Sequence, residues 1–277
     1  MSKLPSIADI QAQTLVKPGG KKLKLKSAAT DGHEFFADKK DAKASLDEDA
    51  KVIDQLQDAL FAEGKRALLV VLQGIDTSGK DGTAKSVFKY TSPLGVRVHP
   101  FGRPTEMELK HDYLWRVHQL CPQRGHIGVF NRSHYEDVLV VKVRKLADPE
   151  AIEQRYEQIN NFEKHLVENG TVVLKLMLHI SKEEQGVRLK ERLEDPCKLW
   201  KFNPSDLDDR KLWTEYEAAY EAIGNRCSTE HAPWHVLPSD SRSRRDAIAA
   251  RLVRGALEKL GPKYPDPGYK PADYPIV

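Results

Sequence analysis

Short apolar runs alternate with stretches of helical periodicity along most of the chain. Between the runs, apolar residues recur every three or four positions, as in amphipathic helices. Strands that alternate with helices favour a mostly parallel sheet with helices on both faces, so the pattern predicts an α/β fold. The predicted strands are 67–72, 96–99, 127–130, 172–178 and 234–237.

Capping signals and breakers set the predicted helix ends. One helix begins at Ser45, a candidate N-cap with Glu48 three residues later, and ends at Gly64. Further helices are predicted at about 105–120, 148–169, 181–194, 210–224 and 243–260. Because Pro196 interrupts a charged helical stretch, the segment from about 181 to 211 is predicted to form a hinged lid.

Length and composition favour one large domain with terminal extensions. The 277 residues carry 44 Lys and Arg against 41 Asp and Glu, and a net charge of only +3 gives no general attraction to nucleic acid. No apolar run approaches 18 residues, and three cysteines without metal-ligand spacing are typical of a cytoplasmic protein rather than a membrane or secreted one. We divide the chain into an arm (1–45), a core (46–261) and a proline-rich tail (262–277).

The polar arm carries five lysines between positions 17 and 26. Two interpretations remain open for it. The arm either lies over the domain or a neighbouring subunit, or it is a solvated tail.

A glycine-rich turn follows the first predicted strand and leads into a helix. Its spacing, Gly74-x-x-x-x-Gly79-Lys80, matches the phosphate-binding P-loop, in which glycines let the backbone approach an anion and the helix amides bind it. Asp81 stands where Ser or Thr usually supplies a hydroxyl to Mg²⁺, so Asp76 is the predicted ligand of Mg²⁺, or of Mn²⁺ as a substitute. The predicted phosphate-binding residues of the loop are Gly74, Thr77, Ser78, Gly79, Lys80, Asp81, Gly82 and Thr83.

A second polar cluster follows the strand at 127–130. In open α/β sheets, ligands bind at the carboxyl ends of strands, so Arg132 is placed to contact a transferring phosphoryl group. Asn131 occupies the position of the usual Walker-B acid, and Glu136 and Asp137 are candidates for metal or acceptor positioning. Capping and surface ion pairs at a helix start are the alternative interpretation.

Cations also recur in the predicted lid. Arg188 and Arg192 are four residues apart and share one helix face, and Lys201 follows the proline break. A basic helix that closes over phosphates would add charge and exclude water. Neighbouring acids, Glu191 and Glu194, leave a solvated helix as an equal alternative.

Phosphoryl transfer depends mostly on positioning and charge neutralisation, which suits many cations. A phosphate acceptor is already an oxyanion at neutral pH and needs no strong general base, whereas a sugar hydroxyl does. The few isolated candidate bases in this chain therefore favour a phosphate acceptor.

Four blocks in register resemble the polyphosphate kinase 2 family, over roughly residues 30 to 270. They are 74–82, 130–139, the lid's Asp195-Pro196 with Trp200-Lys201-Phe202, and Ala232-Pro233-Trp234. The resemblance implies a P-loop kinase fold related to thymidylate kinases, in three layers with a helical lid. It also implies transfer of the terminal phosphoryl group of inorganic polyphosphate to a nucleotide with Mg²⁺.

The resemblance further implies roles for individual residues. Asp76, Lys80 and Arg132 would be catalytic, and Arg188 and Arg192 would line the polyphosphate path. The block at 131–137 is similar to the subgroup that phosphorylates both AMP and ADP, with Glu136 associated with use of the diphosphate. The full prediction adds Glu136 and Asp137 to the catalytic set, Lys201 to the polyphosphate set, and Arg103, Asn131, Arg132 and Glu136 as nucleotide-binding residues.

Members of the family that this chain resembles form dimers or tetramers, so the resemblance implies a homo-oligomer. No nucleic-acid or membrane partner is expected. Two other functions stay open. One is an ATP-dependent nucleotide or small-molecule kinase on the same fold, and the other is a non-catalytic nucleotide-binding protein.

Overall fold

The computed structural model describes residues 4–270 and 273–274. Its centre is a five-stranded sheet with the order β2-β3-β1-β4-β5, in which every neighbouring pair is parallel. The strands are β1 (Ala67–Gln73), β2 (Val96–Pro100), β3 (Ile127–Asn131), β4 (Thr171–His179) and β5 (Trp234–Pro238). The predicted parallel α/β fold is confirmed.

Helices connect the strands and cover both faces of the sheet. Their bounds are α1 (Ile7–Thr14), α2 (Lys39–Glu63), α3 (Lys80–Val87), α4 (Trp115–His118), α5 (Val140–Val143), α6 (Pro149–Glu168), α7 (Lys182–Glu194), α8 (Ser205–Lys211), α9 (Trp213–Arg226) and α10 (Arg242–Leu260).

Alternate residues of the central strand β1 enter two apolar cores. Leu68 and Val70 pack under the layer formed by α2, α3 and α10, whereas Leu69 and Val71 pack under α6 and α9. Because both faces are covered, β1 is buried along its whole length. The three layers hold the carboxyl end of the central strand β1, and therefore the P-loop, at the middle of the row of strand carboxyl ends.

Three predicted helices were wrong in their bounds or continuity. Helix α2 begins at Lys39, because Asp38 caps it by accepting from the Lys40 amide, and Ser45 is buried inside the helix instead. The segment 105–120 contains only a 3₁₀ turn at 108–110 and the short α4. The helix predicted at 210–224 is divided at Leu212 into α8 and α9.

The N-terminal arm lies against the core of its own chain. Helix α1 has a capping box between Ser6 and Asp9, and Ile10 is fully buried. Further on, the Val16 amide donates to the Trp234 carbonyl of β5 at 2.8 Å. An isolated β-bridge between Leu15 and His235 thus attaches the arm to the β5 edge of the sheet.

The tail has no helix or strand across 262–270, and Pro271 and Pro275 lie outside the described residues. Within 4–270 and 273–274, no helix combines the length and apolarity that crossing a bilayer requires.

Candidate active site

The loop between β1 and α3 has the backbone of a tight anion-binding turn. Gly74 and Gly79 have φ values of 156° and 105°, in a region that side chains rarely adopt. A Cβ atom at Gly79 would lie 1.9 Å from Nη1 of Arg245, so a larger residue there would also displace the Arg245 guanidinium. Helix α3 begins directly at Lys80, which directs its first amides towards the space above the loop.

Three charged side chains meet at this loop. Arg132 donates from Nη2 to Oδ1 of Asp76 at 2.5 Å, and Lys80 donates from Nζ to the Gly74 carbonyl at 2.6 Å. Arg132 has a φ of 62°, an uncommon backbone conformation for a residue with a side chain. The carboxyl ends of β1 and β3 thus deliver one acid and two cations to one point.

Burial and neighbouring charges shift the protonation of these groups. Burial, reinforced by the adjacent Arg132, lowers the pKa of Lys80 to about 8. Burial alone would raise the pKa of Asp76, but Lys80 and Arg132 outweigh it and hold that pKa below its ordinary value. Asp76 is therefore an ionised carboxylate at neutral pH.

The two acids after β3 face different neighbours. Burial raises the pKa of Glu136, although Arg132 and Lys80 oppose the shift, so Glu136 belongs to the charge cluster at the loop. Asp137 instead lies against Arg155, whose Nη1 donates to its Oδ1 at 3.4 Å, and burial raises the pKa of Asp137 to about 6. The structure does not bring Asp137 into the cleft described next.

A cleft of about 690 Å³ opens above the loop, between the sheet edge and α7–α8. Its lining holds twice as many cations as carboxylates. The cations are Lys80, Arg132, Arg188, Arg192, Lys198, Lys201, Arg242 and Arg245, and the carboxylates are Asp76, Asp81, Glu191 and Asp206. A cleft of this size and charge suits a polyanion or two adjoining phosphate-bearing molecules.

The predicted lid residues divide into two kinds. Arg188 is buried, and its guanidinium donates to the carbonyls of Thr77 and Ser78 in the loop and to those of Ser239 and Asp240. Its Nε donates to Glu184, so every donor of Arg188 is engaged.

The other lid cations are more accessible. Arg192 donates to Asp206 at 3.1 Å, and Nζ of Lys201 lies 3.7 Å from Asp81. Both face the cleft with single acidic partners that a phosphate could replace.

Of three other predicted site residues, Asn131 lines the cleft, whereas Thr83 and Arg103 do not. Asn131 donates to Asp81 at 2.6 Å, which joins the two positions where the chain departs from the usual Walker motifs. Thr83 donates to Asp246 and so is turned away from the cleft. Arg103 is exposed on the loop after β2 and is absent from the cleft lining among the described residues.

Sequence reasoning missed Arg245 and Tyr220. Arg245 on α10 donates to the Ser78 carbonyl at 3.0 Å and packs against Gly79. Tyr220 on α9 is buried next to Glu136 and Asp76, whose charges add to burial in raising its pKa. Both lie far from the loop in sequence, and the one available signal was the Arg244-Arg245 pair in the first turn of α10.

A divalent cation fits the oxygen donors of the loop. Asp76 is ionised, and the hydroxyls of Thr77 and Ser78 are buried without a hydrogen-bond partner among the described residues. Mg²⁺ requires only one or two protein carboxylates when substrate phosphates and water complete its shell. No cluster of three His, Cys, Asp or Glu side chains that could hold a metal occurs in the described part of the chain.

The sequence pattern of the family Polyphosphate kinase 2 (PPK2) matches residues 36–264. The chain belongs to the polyphosphate kinase 2 family. It is 50% identical over 215 residues to the AMP/ADP-polyphosphate phosphotransferase of Meiothermus ruber, which covers 78% of this chain and 80% of that protein. An ADP-polyphosphate phosphotransferase of Rhodopseudomonas palustris is 36% identical over 259 residues, with 89% and 90% covered.

The crystal structure of Polyphosphate Kinase 2 from Arthrobacter aurescens TC1 superimposes with a TM-score of 0.91 at 37% identity. The match covers 99% of this chain and 96% of that one. The polyphosphate kinase 2 resemblance and the P-loop kinase fold are both confirmed.

Proposed function

We propose that this polyphosphate kinase 2 family member transfers the terminal phosphoryl group of inorganic polyphosphate to AMP or ADP by direct in-line displacement. The observation that carries the proposal is the cation-rich cleft above the P-loop, which has room for two polyanions at once. The M. ruber relative, named for transfer between polyphosphate and AMP or ADP, supports this acceptor range.

The charged groups suggest how the transfer is stabilised. Lys80 and the first amides of α3 would bind the phosphoryl group during its transfer, and Arg132 would lie between that group and the acceptor. The acceptor phosphate is already an oxyanion, so it can attack without a strong base. Asp76 would hold Mg²⁺, or Mn²⁺ in its place, which neutralises charge on the phosphates.

The lid would act by closing over the phosphates. Arg192 and Lys201 would exchange Asp206 and Asp81 for phosphate oxygens along the polyphosphate chain. Closure would also exclude water, which competes as an acceptor. Asn131 and Glu136 would face the nucleotide phosphates, with Arg103 reaching them only if its loop moves.

The direct test is an assay of purified protein with Mg²⁺, polyphosphate and either AMP or ADP as acceptor. A parallel reaction contains AMP with ATP as the donor in place of polyphosphate. We expect ADP and ATP to form from polyphosphate in the two arms. An ATP-dependent kinase would phosphorylate only with ATP present, and a binding protein would turn over neither donor.

Acceptor choice can be tested at Glu136. Burial raises the pKa of Glu136 and the charges of Arg132 and Lys80 act on it, which supports a role for Glu136 beside the transferring phosphate. Glu136→Ala should reduce kcat/KM for ADP about 10-fold more than for AMP, as expected for one lost polar contact. Glu136→Gln is the matched variant that keeps the shape, and an unchanged AMP/ADP ratio in both would remove Glu136 from acceptor selection.

A cytoplasmic homo-oligomer completes the proposal. The cysteines Cys121, Cys197 and Cys227 are all free thiols, which suits a reducing compartment. The exposed apolar side chains Leu94 and Val98, just before and on β2, support pairing with a second copy, because the outer edge of β2 has no strand partner among the described residues. Light scattering of the eluted protein would distinguish a dimer or tetramer from a monomer.

A further inference from the structure

A fully buried ionic network lies beneath the strand-end turn that carries Arg132 and Glu136. It is centred on Lys175, which interrupts the apolar run 172–178 of strand β4 and has no exposed surface. Nζ of Lys175 donates to Oε2 of Glu163 at 2.6 Å, to the Tyr135 hydroxyl at 2.8 Å and to the Cys227 carbonyl at 2.6 Å. All three ammonium protons are therefore used.

The network continues into the turn itself. Oε1 of Glu163 accepts from the Tyr135 hydroxyl at 2.8 Å and lies 3.1 Å from Nε2 of His134. The Tyr135 ring also packs edge-on against Trp234 at 4.8 Å between ring centres. Two consecutive residues of the turn are thus attached to β4 and α6 from below.

The residues on either side of this attachment belong to the candidate active site. Arg132 precedes the pair with a positive φ and binds Asp76, and Glu136 follows it and interacts with Arg132 and Lys80. Ser133 fixes the same turn from the side, because its Oγ accepts from Gln73 at 3.1 Å and from the Tyr135 amide at 3.2 Å. The turn thus has two consecutive side chains bound below, between Arg132, which lines the cleft, and Glu136, which interacts with Arg132 and Lys80.

Stability alone does not explain a charged pair at this depth. Replacing a buried ion pair by packed apolar residues is often neutral or stabilising, since desolvation offsets the attraction between the charges. Hydrogen bonds with fixed donors and acceptors do, however, restrict the groups they join to one geometry. A strained turn that must hold an arginine against a phosphate benefits from such a restriction.

We propose that Lys175, Glu163 and Tyr135 are positioning residues for phosphoryl transfer, which hold the 132–136 turn so that Arg132 and Glu136 face the P-loop. None of the three lines the cleft among the described residues, so they act through the turn and not by touching substrate. The inference rests on the proposed function for its kinetic consequence and on geometry for the rest.

The test compares two tyrosines of the same apolar core. Tyr135→Phe deletes the hydroxyl that joins the turn to Lys175 and Glu163. Tyr156→Phe is the matched control, because Tyr156 is equally buried in that core but its hydroxyl accepts from Lys142, outside the cleft. Both variants lose one hydroxyl from a buried ring, and Tyr135→Phe should lose more thermal stability, because its hydroxyl joins two buried charged groups whereas that of Tyr156 joins one partly exposed lysine.

The turnover rate should distinguish the Tyr135→Phe variant from the Tyr156→Phe control. Tyr135→Phe should lower kcat about 10- to 100-fold while KM for polyphosphate changes less than 2-fold, because misplacing a catalytic group by a fraction of an ångström to 1 Å affects the transition state most. Lys175→Met should behave in the same way if it folds. Tyr156→Phe should retain kcat.

Hydrogen–deuterium exchange supplies a readout that does not need turnover. The peptide containing 131–139 should exchange faster in Tyr135→Phe than in wild type and Tyr156→Phe, whereas exchange in α10 should be unchanged. Absence of polyphosphate-dependent turnover in wild type would refute the proposed function, yet the exchange comparison would still test the attachment. Equal exchange at 131–139 in the two variants, or equal kcat in an active enzyme, would overturn the positioning role.

Discussion

Two arginines of α7, one helical turn apart, differ in what their donors contact. Arg188 has a side chain only 5% exposed, and it bonds to backbone carbonyls of the P-loop and of the segment after β5. Arg192 is 22% exposed and bonds to Asp206 and the Lys201 carbonyl within the lid. The comparison separates cations that build the phosphate site from cations that are available to bind phosphate.

Arg245 belongs with Arg188, since it is buried and donates to the Ser78 carbonyl and to Asp246. Lys201 and Arg242 belong with Arg192, because each faces the cleft with a single acidic partner, Asp81 and Glu191 respectively. A P-loop binds phosphate with its backbone amides, so its carbonyls point away from the ligand and need other donors. The two buried arginines donate to these carbonyls.

Lys80 is the cation for which the largest effect is expected. Lys80→Met should reduce polyphosphate-dependent transfer by about 10³-fold, because the group that neutralises the transferring phosphoryl is lost. Its melting temperature should stay equal or rise, since burial beside Arg132 disfavours the lysine charge. Calorimetry and initial rates on the same preparation check both outcomes. Residual activity above a tenth of wild type would contradict the assignment.

Arg188→Met tests the building role. The substitution leaves Glu184 and the carbonyls of Thr77, Ser239 and Asp240 without this donor, while Arg245 still donates to Ser78, so unfolding should become easier by about 2–4 kcal/mol. Transfer should fall together with stability because the loop loses its support. Denaturant unfolding measures the change, and full stability with lost activity would instead identify Arg188 as a phosphate ligand.

Arg192→Met is the matched substitution one turn along the same helix. Its partner Asp206 has a side chain only 10% exposed but lines the open cleft, where water can replace the arginine, so the expected loss of stability is about 1 kcal/mol and smaller than for Arg188→Met. KM for polyphosphate should rise about 10-fold, from loss of one charge-assisted contact, while KM for ADP changes little. Equal increases in both KM values would place Arg192 away from the polyphosphate path.

A pH profile gives the smallest and most specific effect. Lys80 has a pKa lowered to about 8, so raising the pH through 8 removes its charge and should lower kcat/KM for polyphosphate. In the same protein, stability should rise between about pH 8 and 10.5, because the unfolded chain binds more protons there than the folded one. Lys80→Met should lack this rise, and a kcat/KM flat to pH 10 would indicate that the lysine charge is not required.

The local sequence pattern was sufficient to predict the phosphate-binding loop and the strands of the sheet. An apolar run, a glycine-rich turn and a helix occur consecutively at 67–87, and the strand ends place Asp76 near Arg132 without further information. Ser45 was a misleading cap because Asp38, seven residues earlier, satisfies the same rule and lets the helix start sooner.

Tertiary contacts decided the rest. The sequence spacing made Arg188 and Arg192 equivalent, and only the fold shows that one meets loop carbonyls and the other an acid of α8. Arg245 was missed because its contact with Ser78 spans 167 positions. Lys175 received no role within the predicted strand 172–178, because its partners on α6 and in the 134–137 turn are brought to it only by the fold.

Transfer at the P-loop is tested most directly by ³¹P NMR of polyphosphate and ADP with Mg²⁺ and wild-type or Lys80→Met protein. With wild type, the β- and γ-phosphate resonances of ATP should grow while ADP resonances decline by the same amount. With Lys80→Met, the spectrum should stay constant over the same time. ATP formation at equal rates in both samples, or none with wild type, would contradict transfer at this loop.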